Sequence, residues 1–370
     1  NPDDAAIDTL KVLWYARLHP THKSRWTRAL AFMNCSLVCL CLCLAIKGVL
    51  VSYNSDLYFM AECLQTCILM LNTIVKLLFF QIHKDALERL LKQKLKFWKI
   101  NDFDGTIQEK CTKITYFGKM IIRCAYFSVL PGTLFFDMQP FTTGSLPSRC
   151  YVPEGWFTGL IVLFWYVSCL STTSMPMADG LFFSFAVSLI VQFKLLRHKF
   201  KNMKLLKNQS EVKVWNELKQ LVDHHNFLLS YCKDLNAAYR GLFLGIFFIA
   251  IASGSLSIFI FMQPGPWSNR VKFAIYFVLQ LCEITFICIP VELIVTAASQ
   301  LADAVYKSQW YETNINEFRR CLTVVLIRTQ KAILFSGYGI VHINLQTFVV
   351  VCKTMFSFFT YLNSATKIKQ

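Results

Sequence analysis

Seven long apolar stretches punctuate the chain, at about 29–52, 57–81, 115–137, 156–195, 237–262, 271–300 and 338–362. A helix needs about 20 mainly apolar residues to cross a bilayer, so each stretch predicts one crossing. The fourth exceeds one crossing and reads as a span that continues as helix beyond the membrane. Met175-Pro176-Met177 predicts a bend in it, because proline removes a ladder hydrogen bond. Residues 53–56, 138–155 and 263–270 are short linkers with Pro, Gly, Ser and few charges. Residues 82–114, 196–236 and 301–337 are long and basic, and they keep a helical rhythm. Leu87, Leu90, Leu91 and Leu95 form one apolar row and Val214, Leu218, Leu221 and Leu228 another. Such faces need partners, which predicts a folded layer beside the membrane. The fold class is therefore all-α membrane protein, with no tandem repeat and no low-complexity tract.

Charge sets the orientation. Of 38 Lys and Arg, 26 fall in residues 1–28 and the three long linkers, while 4 fall in the short linkers and residues 363–370. The positive-inside rule then places the N-terminus and the helical layer in the cytoplasm. Seven crossings put the C-terminus outside, opposite to a G-protein-coupled receptor. The Asp-Arg-Tyr and Asn-Pro-x-x-Tyr motifs of that class are also missing. A secondary transporter would show duplicated halves, and none is visible. The sequon Asn208-Gln-Ser210 falls in a cytoplasmic linker and is expected to stay unmodified.

Composition agrees with lipid as the solvent. The chain of 370 residues is 55% hydrophobic and 16% charged, against about 25% charged in soluble domains. Its net charge of +16 lies in blocks between apolar runs, which does not describe a nucleic-acid face. The 15 Cys lie mostly inside apolar runs, and only Cys150 falls in an outer loop, so no disulfide framework is expected. The sequence starts at Asn1 without Met, which reads as a trimmed start, and residues 1–28 do not read as a signal peptide.

Enzyme signals are missing. There is no P-loop, no Gly-x-Ser-x-Gly and no HExxH. His224-His225 reads as a solvated helix face without a third metal ligand, and Asp102-Phe-Asp104-Gly lacks the later acid of a calcium loop. No catalytic residue, cofactor or metal is expected.

Residues 291–362 carry the most specific pattern. They run VELIVTAASQLADAVYKSQWYETN, then FRRCLTVVLIRTQKAILFSGYG, then INLQTFVVVCKTMFSFFTYL. Leu301-Ala-Asp-Ala-Val-Tyr, Trp310-Tyr-Glu, Arg328 with Gln330-Lys331, Thr347-Phe348, Lys353, Phe356-Ser357 and Thr360 resemble the C-terminal signature of insect odorant receptors. Phe356 stands where Tyr is usual and Ala332 where Pro is common. The long intracellular insertion of the shared co-receptor is missing, so the chain resembles the odorant-tuned subunit. A gustatory receptor, the nearest alternative, usually closes with Thr-Tyr-x-x-x-x-x-Gln-Phe. Here Thr360-Tyr361 is followed at that spacing by Lys367-Ile368.

The resemblance implies a tetrameric, non-selective cation channel formed with the co-receptor. It implies an odorant site inside the bundle, an intersubunit anchor and a pore-lining last helix. It also implies a multi-pass plasma-membrane protein of the olfactory sensory neuron dendrite. The expected segments are 1–300 with spans one to six and the odorant-binding bundle, 301–337 as the anchor, and 338–370 with span seven and a short tail.

In the last span Asn344, Thr347, Thr354, Ser357 and Tyr361 lie within about 140° on a helical wheel. Phe348, Cys352, Met355, Phe359 and Leu362 form a neighbouring apolar row. The polar stripe suits a hydrated cation path or hydrogen bonds to a neighbouring helix. With the resemblance, Thr347, Thr354, Ser357, Tyr361 and Leu362 are expected to line the pore, the last two at its gate. Lys353 points elsewhere.

For a volatile ligand the expected lining comes from outer halves of the spans. The candidates are Phe59, Met60, Cys63, Phe127, Leu130, Phe136, Phe164, Trp165, Ser168, Met175, Ser253, Ser257, Phe259, Tyr276 and Gln280. Pro131-Gly132 would open space beside them. Any single aromatic or Met among them is equally at home in packing or against lipid. Of the intramembrane charges, Lys76, Lys119 and Glu292 are expected to snorkel at the inner boundary, and Glu62 and Asp179 to be paired or neutral.

Overall fold

The computed structural model describes residues 9–11, 25–53, 57–203, 211–264, 267–308 and 316–369. The sequon at Asn208 and the Trp310-Tyr-Glu triplet lie outside these residues. The helices are α1 (Arg25–Ser52), α2 (Leu57–Ile82), α3 (Lys84–Lys94), α4 (Gly105–Asp137), α5 (Gln139–Thr143), α6 (Phe157–Asn202), α7 (Glu211–Met262), α8 (Trp267–Tyr306), α9 (Asn316–Thr329) and α10 (Leu345–Lys369). A two-stranded hairpin of β1 (Ser336–Gly337) and β2 (Val341–His342) precedes α10. Among the described residues, seven of these helices are long and apolar enough to cross a membrane: α1, α2, α4, α6, α7, α8 and α10.

α6, α7 and α8 run to 46, 52 and 40 residues. At 1.5 Å per residue that is roughly 60–78 Å, about twice the hydrocarbon thickness. Their extensions build the layer that the linker periodicity predicts. Val214, Leu218, Leu221 and Leu228 are buried on α7, and Leu87 and Leu90 on α3, whereas Leu95 is exposed. Phe318, Leu322 and Val325 turn α9 onto the same core, where Phe318 meets Trp215 edge to face. The core continues upward through Phe182, Phe185, Phe193, Tyr231, Tyr239 and Phe243, all buried.

Three expectations change. The last crossing begins at Leu345, not at 338. Tyr338 and Gly339 adopt positive φ of 52° and 74°, which a helix cannot hold, and the hairpin takes their place. The Tyr338 ring is held under the Arg240 guanidinium at 4.7 Å. His224 and His225 are buried rather than solvated. His224 stacks on Trp98 at 3.7 Å and its Nε2 meets Gln192 Oε1 at 3.1 Å. Gln192 also accepts from the Trp98 N–H and donates to the Trp98 carbonyl. A polar pair thus stitches α6 and α7 to the loop after α3. Finally, Lys76 does not snorkel, as described below.

α6 continues as helix through Pro176, and Cys150 is a buried free thiol beneath α1. α10 starts at an N-cap: Asn344 Oδ1 accepts from the Thr347 N–H at 2.7 Å. The apolar row of α10 faces the bundle. Met355 is fully buried against Gly254 of α7, where any added Cβ would stand 2.6 Å from the Met355 sulfur. Phe359 and Leu362 pack on the cluster of Ala61, Leu256, Phe259, Ile260 and Phe273.

Candidate ligand site

Two helical faces set the polar positions of a cavity. On α2, Gln65, Asn72 and Lys76 recur at spacings of seven and four, which stacks them on one face. On α8, Tyr276, Gln280 and Glu283 do the same at four and three. α6 brings Asp179 to the same level. Lys76, fully buried, puts its ammonium 2.8 Å from Asp179 Oδ2 and 2.5 Å from Glu283 Oε1. Asn72 Nδ2 donates to Glu283 at 3.3 Å, and Gln280 Nε2 donates to Glu283 Oε2 at 2.6 Å. An unpaired charge at this depth would be expensive. Two acidic side chains around one lysine give the buried charges partners.

Above this cluster lies a cavity of about 390 Å³, walled by α2, α4, α6, α7 and α8. Its sides are apolar: Ile68, Leu69, Met120, Ile121, Val129, Ile249, Leu279 and Phe286. Its base is Asn72, Asp179 and Glu283. Higher up, Gln65 donates to the Ser253 hydroxyl at 2.8 Å. Met120, Ile121, Cys124 and Cys282, which line the cavity on α4 and α8, are exposed, so the cavity opens sideways toward the lipid-facing surface. A volume of this size admits a molecule of roughly ten to fifteen heavy atoms and lies at the small end of ligand pockets. Phe136 stacks on Tyr276 at 4.6 Å and lines a smaller cavity of about 80 Å³, together with Phe164 and Ser168.

The expected lining residues fall into three groups. Ser253, Tyr276 and Gln280 line the main cavity. Phe136, Phe164 and Ser168 line the small one, with Tyr276 shared. The others lie apart from both. Phe127 and Leu130 are exposed on the outward side of α4, Met60 is half-buried, and Cys63 is buried facing α1 near Gly48. Phe59 lines a shallow groove under the loop of Gly144–Tyr151. Trp165 donates its Nε1–H to the Asp137 carbonyl at 3.0 Å. Ser257 and Phe259 are buried in packing, and the Met175 side chain lies outside the described set. Gln65, Asn72, Asp179, Glu283 and the α4 residues were not among the expected lining. The seven-and-four spacing of polar residues on an apolar α2 was the available signal, since such a stripe must face a cavity or a partner.

At the last span, Thr347 and Thr354 line an open groove between α7 and α10 of about 410 Å³. Ser357 and Tyr361 are exposed, and Leu362 sits half-buried at the edge of the bundle. Glu62, the other buried acid, pairs with Arg149 at 3.2 Å.

This architecture has counterparts. The structure of the insect olfactory receptor OR5 from Machilis hrabei superposes with a TM-score of 0.81 over 92% of this chain and 90% of that one, at 14% identity. The same receptor in complex with eugenol gives 0.81 over 93% and 91%, also at 14% identity. Among Drosophila melanogaster proteins, odorant receptor 82a is 26% identical over 50% of this chain, odorant receptor 42b is 25% identical over 61%, and odorant receptor 85f is 23% identical over 85%. The matched region spans 48% and 59% of the lengths of 82a and 42b, so about half of each relative is covered. The family model described as 7tm odorant receptor matches residues 50–356. Seven apolar helices of the same arrangement, and a family match over most of the sequence, make this chain a multi-pass membrane protein that belongs to the 7tm odorant receptor family.

Proposed function

We propose that the chain is the odorant-binding subunit of a heteromeric, odorant-gated, non-selective cation channel, assembled with a co-receptor in the plasma membrane of the olfactory sensory neuron dendrite. The observation that carries the reading is the cavity of about 390 Å³, apolar on its sides and polar at its base, inside a seven-helix bundle of this family. A small volatile fits such a space, and the eugenol complex of the Machilis receptor gives the same fold a small-molecule ligand. In the proposed orientation the N-terminus is cytoplasmic, supported by the 26-to-4 charge asymmetry.

α10 packs on α7 and α8 along one row only, and its remaining faces carry Ser357, Phe358, Thr360 and Tyr361 outward. That supports a pore lined by Thr347, Thr354, Ser357, Tyr361 and Leu362 once subunits assemble, with residues 301–337 as the intersubunit anchor. Ser253 and Ile249 on α7 touch the cavity, while Gly254, Phe247 and Ile251 of the same helix face α10 or the groove beside it. A ligand that favours one position of α7 can therefore bias α10, and only such a differential drives opening.

The test is whole-cell current from cells expressing the chain with and without an insect co-receptor, under a volatile panel and a block of G-protein signalling. Fast currents that need the co-receptor and survive the block are expected. Current abolished by the block, or full current from this chain alone, overturns the reading.

A further inference from the structure

Among the described residues, three buried oxygens around the cavity have no hydrogen-bond partner: Gln65 Oε1, Asn72 Oδ1 and Asp179 Oδ1. Their residues are 4%, 2% and 8% exposed, and all three line the cavity. Buried polar atoms are nearly always satisfied in native proteins, so this concentration points to a group that arrives from outside the chain.

The chemistry of these oxygens is specific. A carboxylate oxygen can only accept. The orientation of Asn72 is set by its neighbour, because the amide must turn its N–H₂ toward the Glu283 carboxylate and therefore its carbonyl away. Lys76 is committed to Asp179 and Glu283, and the nearby amide of Gln280 to Glu283. The base of the cavity thus offers acceptors, and the amide and ammonium donors of Asn72, Gln280 and Lys76 are already engaged. Two carboxylates against one ammonium also leave the cluster with an excess of negative charge.

We infer that the cavity selects ligands whose polar end is a hydrogen-bond donor, an alcohol, phenol or amine on an apolar body, and rejects carboxylic acids and acceptor-only ketones and ethers of the same size. The inference deepens the reading of the cavity as an odorant site and rests on it. Asn72 lies seven residues, about 10 Å, below Gln65 along α2. The ligand head sits at Asn72 and Asp179, and its tail extends up past Gln65 and Ser253 among the apolar walls. The Ser253 hydroxyl accepts from Gln65 and can still donate. A ketone can therefore bond at the outer end, but it leaves the oxygens at the base unmatched. A carboxylate adds a third negative charge there. A site built to pair a donor disfavours the analogue that lacks it far more than an apolar wall distinguishes one methylene.

The experiment uses the full chain, purified with its co-receptor in lipid nanodiscs, and four eight-carbon probes: 1-octanol, octylamine, 2-octanone and octanoate. Binding is read as the ligand-dependent rise in unfolding temperature, and gating separately as current. We expect octanol and octylamine to bind about tenfold or more tightly than the ketone, the scale of one hydrogen bond to a charged or buried acceptor, and octanoate most weakly. In Asn72→Leu the octanol-to-ketone ratio should fall at least about threefold, with ketone affinity held. Gln65→Leu, one end removed from the base, should leave the ratio closer to that of the unaltered chain and serves where Asn72→Leu fails to fold. Equal or tighter binding of ketone or octanoate overturns the inference, as does a ratio that Asn72→Leu leaves intact or Gln65→Leu abolishes. Donor-selective binding without current would sink the channel reading and leave this one standing. Current with no donor preference would do the reverse.

Discussion

α6 and α10 are both apolar helices long enough to cross a bilayer, yet they meet opposite surroundings. The most apolar window of α6 is 94% buried inside the chain, and that of α10 is 11% buried. α6 is central, wrapped by α1, α2, α4, α7 and α8, and its Phe182, Phe185 and Phe193 have no surface. α10 leans on α7 and α8 along the row Phe348, Met355 and Phe359, with Phe356, Phe358 and Tyr361 directed outward. Hydropathy alone does not separate the two, because lipid and protein interior are alike in polarity. The difference lies in what else the helix carries. α6 contributes a charge, Asp179, which only an interior partner can satisfy. α10 also carries a charge, Lys353, but it is exposed, and the outward rows add hydroxyls and aromatics, which suit lipid, water or a second subunit.

The comparison is broken hardest at the charge. Lys76→Met leaves Asp179 and Glu283 facing each other without a cation, a loss of about 3–5 kcal/mol. Surface labelling and size-exclusion of the solubilised chain are expected to show little folded receptor. Near-normal yield would mean that the cluster is not holding α2, α6 and α8 together. Combining Lys76→Met with Asp179→Asn and Glu283→Gln should restore most of the yield, since neutral amides remove the repulsion.

A smaller effect is expected from packing. Phe182→Ala vacates a ring that meets Tyr239 at 5.1 Å and Phe243 at 5.1 Å. The cost is about 3 kcal/mol, toward the low end for Phe→Ala, because part of the transfer term is missing in a membrane. Thermal inactivation in detergent should move down by several degrees. An unchanged curve would show that α6 is less tightly enclosed than its burial implies.

The smallest effect on the isolated chain is expected at the surface of α10. Phe358→Ser, at a position 53% exposed, should change its thermal stability by no more than about 0.5 kcal/mol. Co-purification with the co-receptor should fall at the same time, if that face meets another subunit. A large loss of stability without partner would place Phe358 in this chain's own core and erase the contrast with α6.

The candidate site shows where sequence reasoning stops. Serine, tyrosine and glutamine at 253, 276 and 280 were legible as polar interruptions of apolar spans, and they line the cavity. Phe127, Leu130 and Phe259 carried the same aromatic or aliphatic signal, yet they face outward or into packing. An apolar side chain is compatible with lipid, core and ligand alike, so its identity says nothing about direction. Lys76 misled for a related reason. A lysine six residues from the end of a span is within snorkelling reach, and nothing in its local sequence reveals that Asp179 and Glu283, 103 and 207 positions away, converge on it. The start of the last crossing was misjudged because Tyr338-Gly-Ile340 is apolar by composition, whereas its backbone is a turn.

By itself the sequence determined seven crossings, the charge asymmetry and the helical layer between them, because each depends on local composition and period and is read within a window of about 20 residues. The family resemblance was legible in residues 291–362 for the same reason, as order and spacing along one stretch. Only the tertiary structure decided which faces became cavity, core or outer surface. Those assignments depend on the rotation of each helix about its axis, and that rotation is set by distant partners such as the Lys76 cluster and the Gly254–Met355 contact.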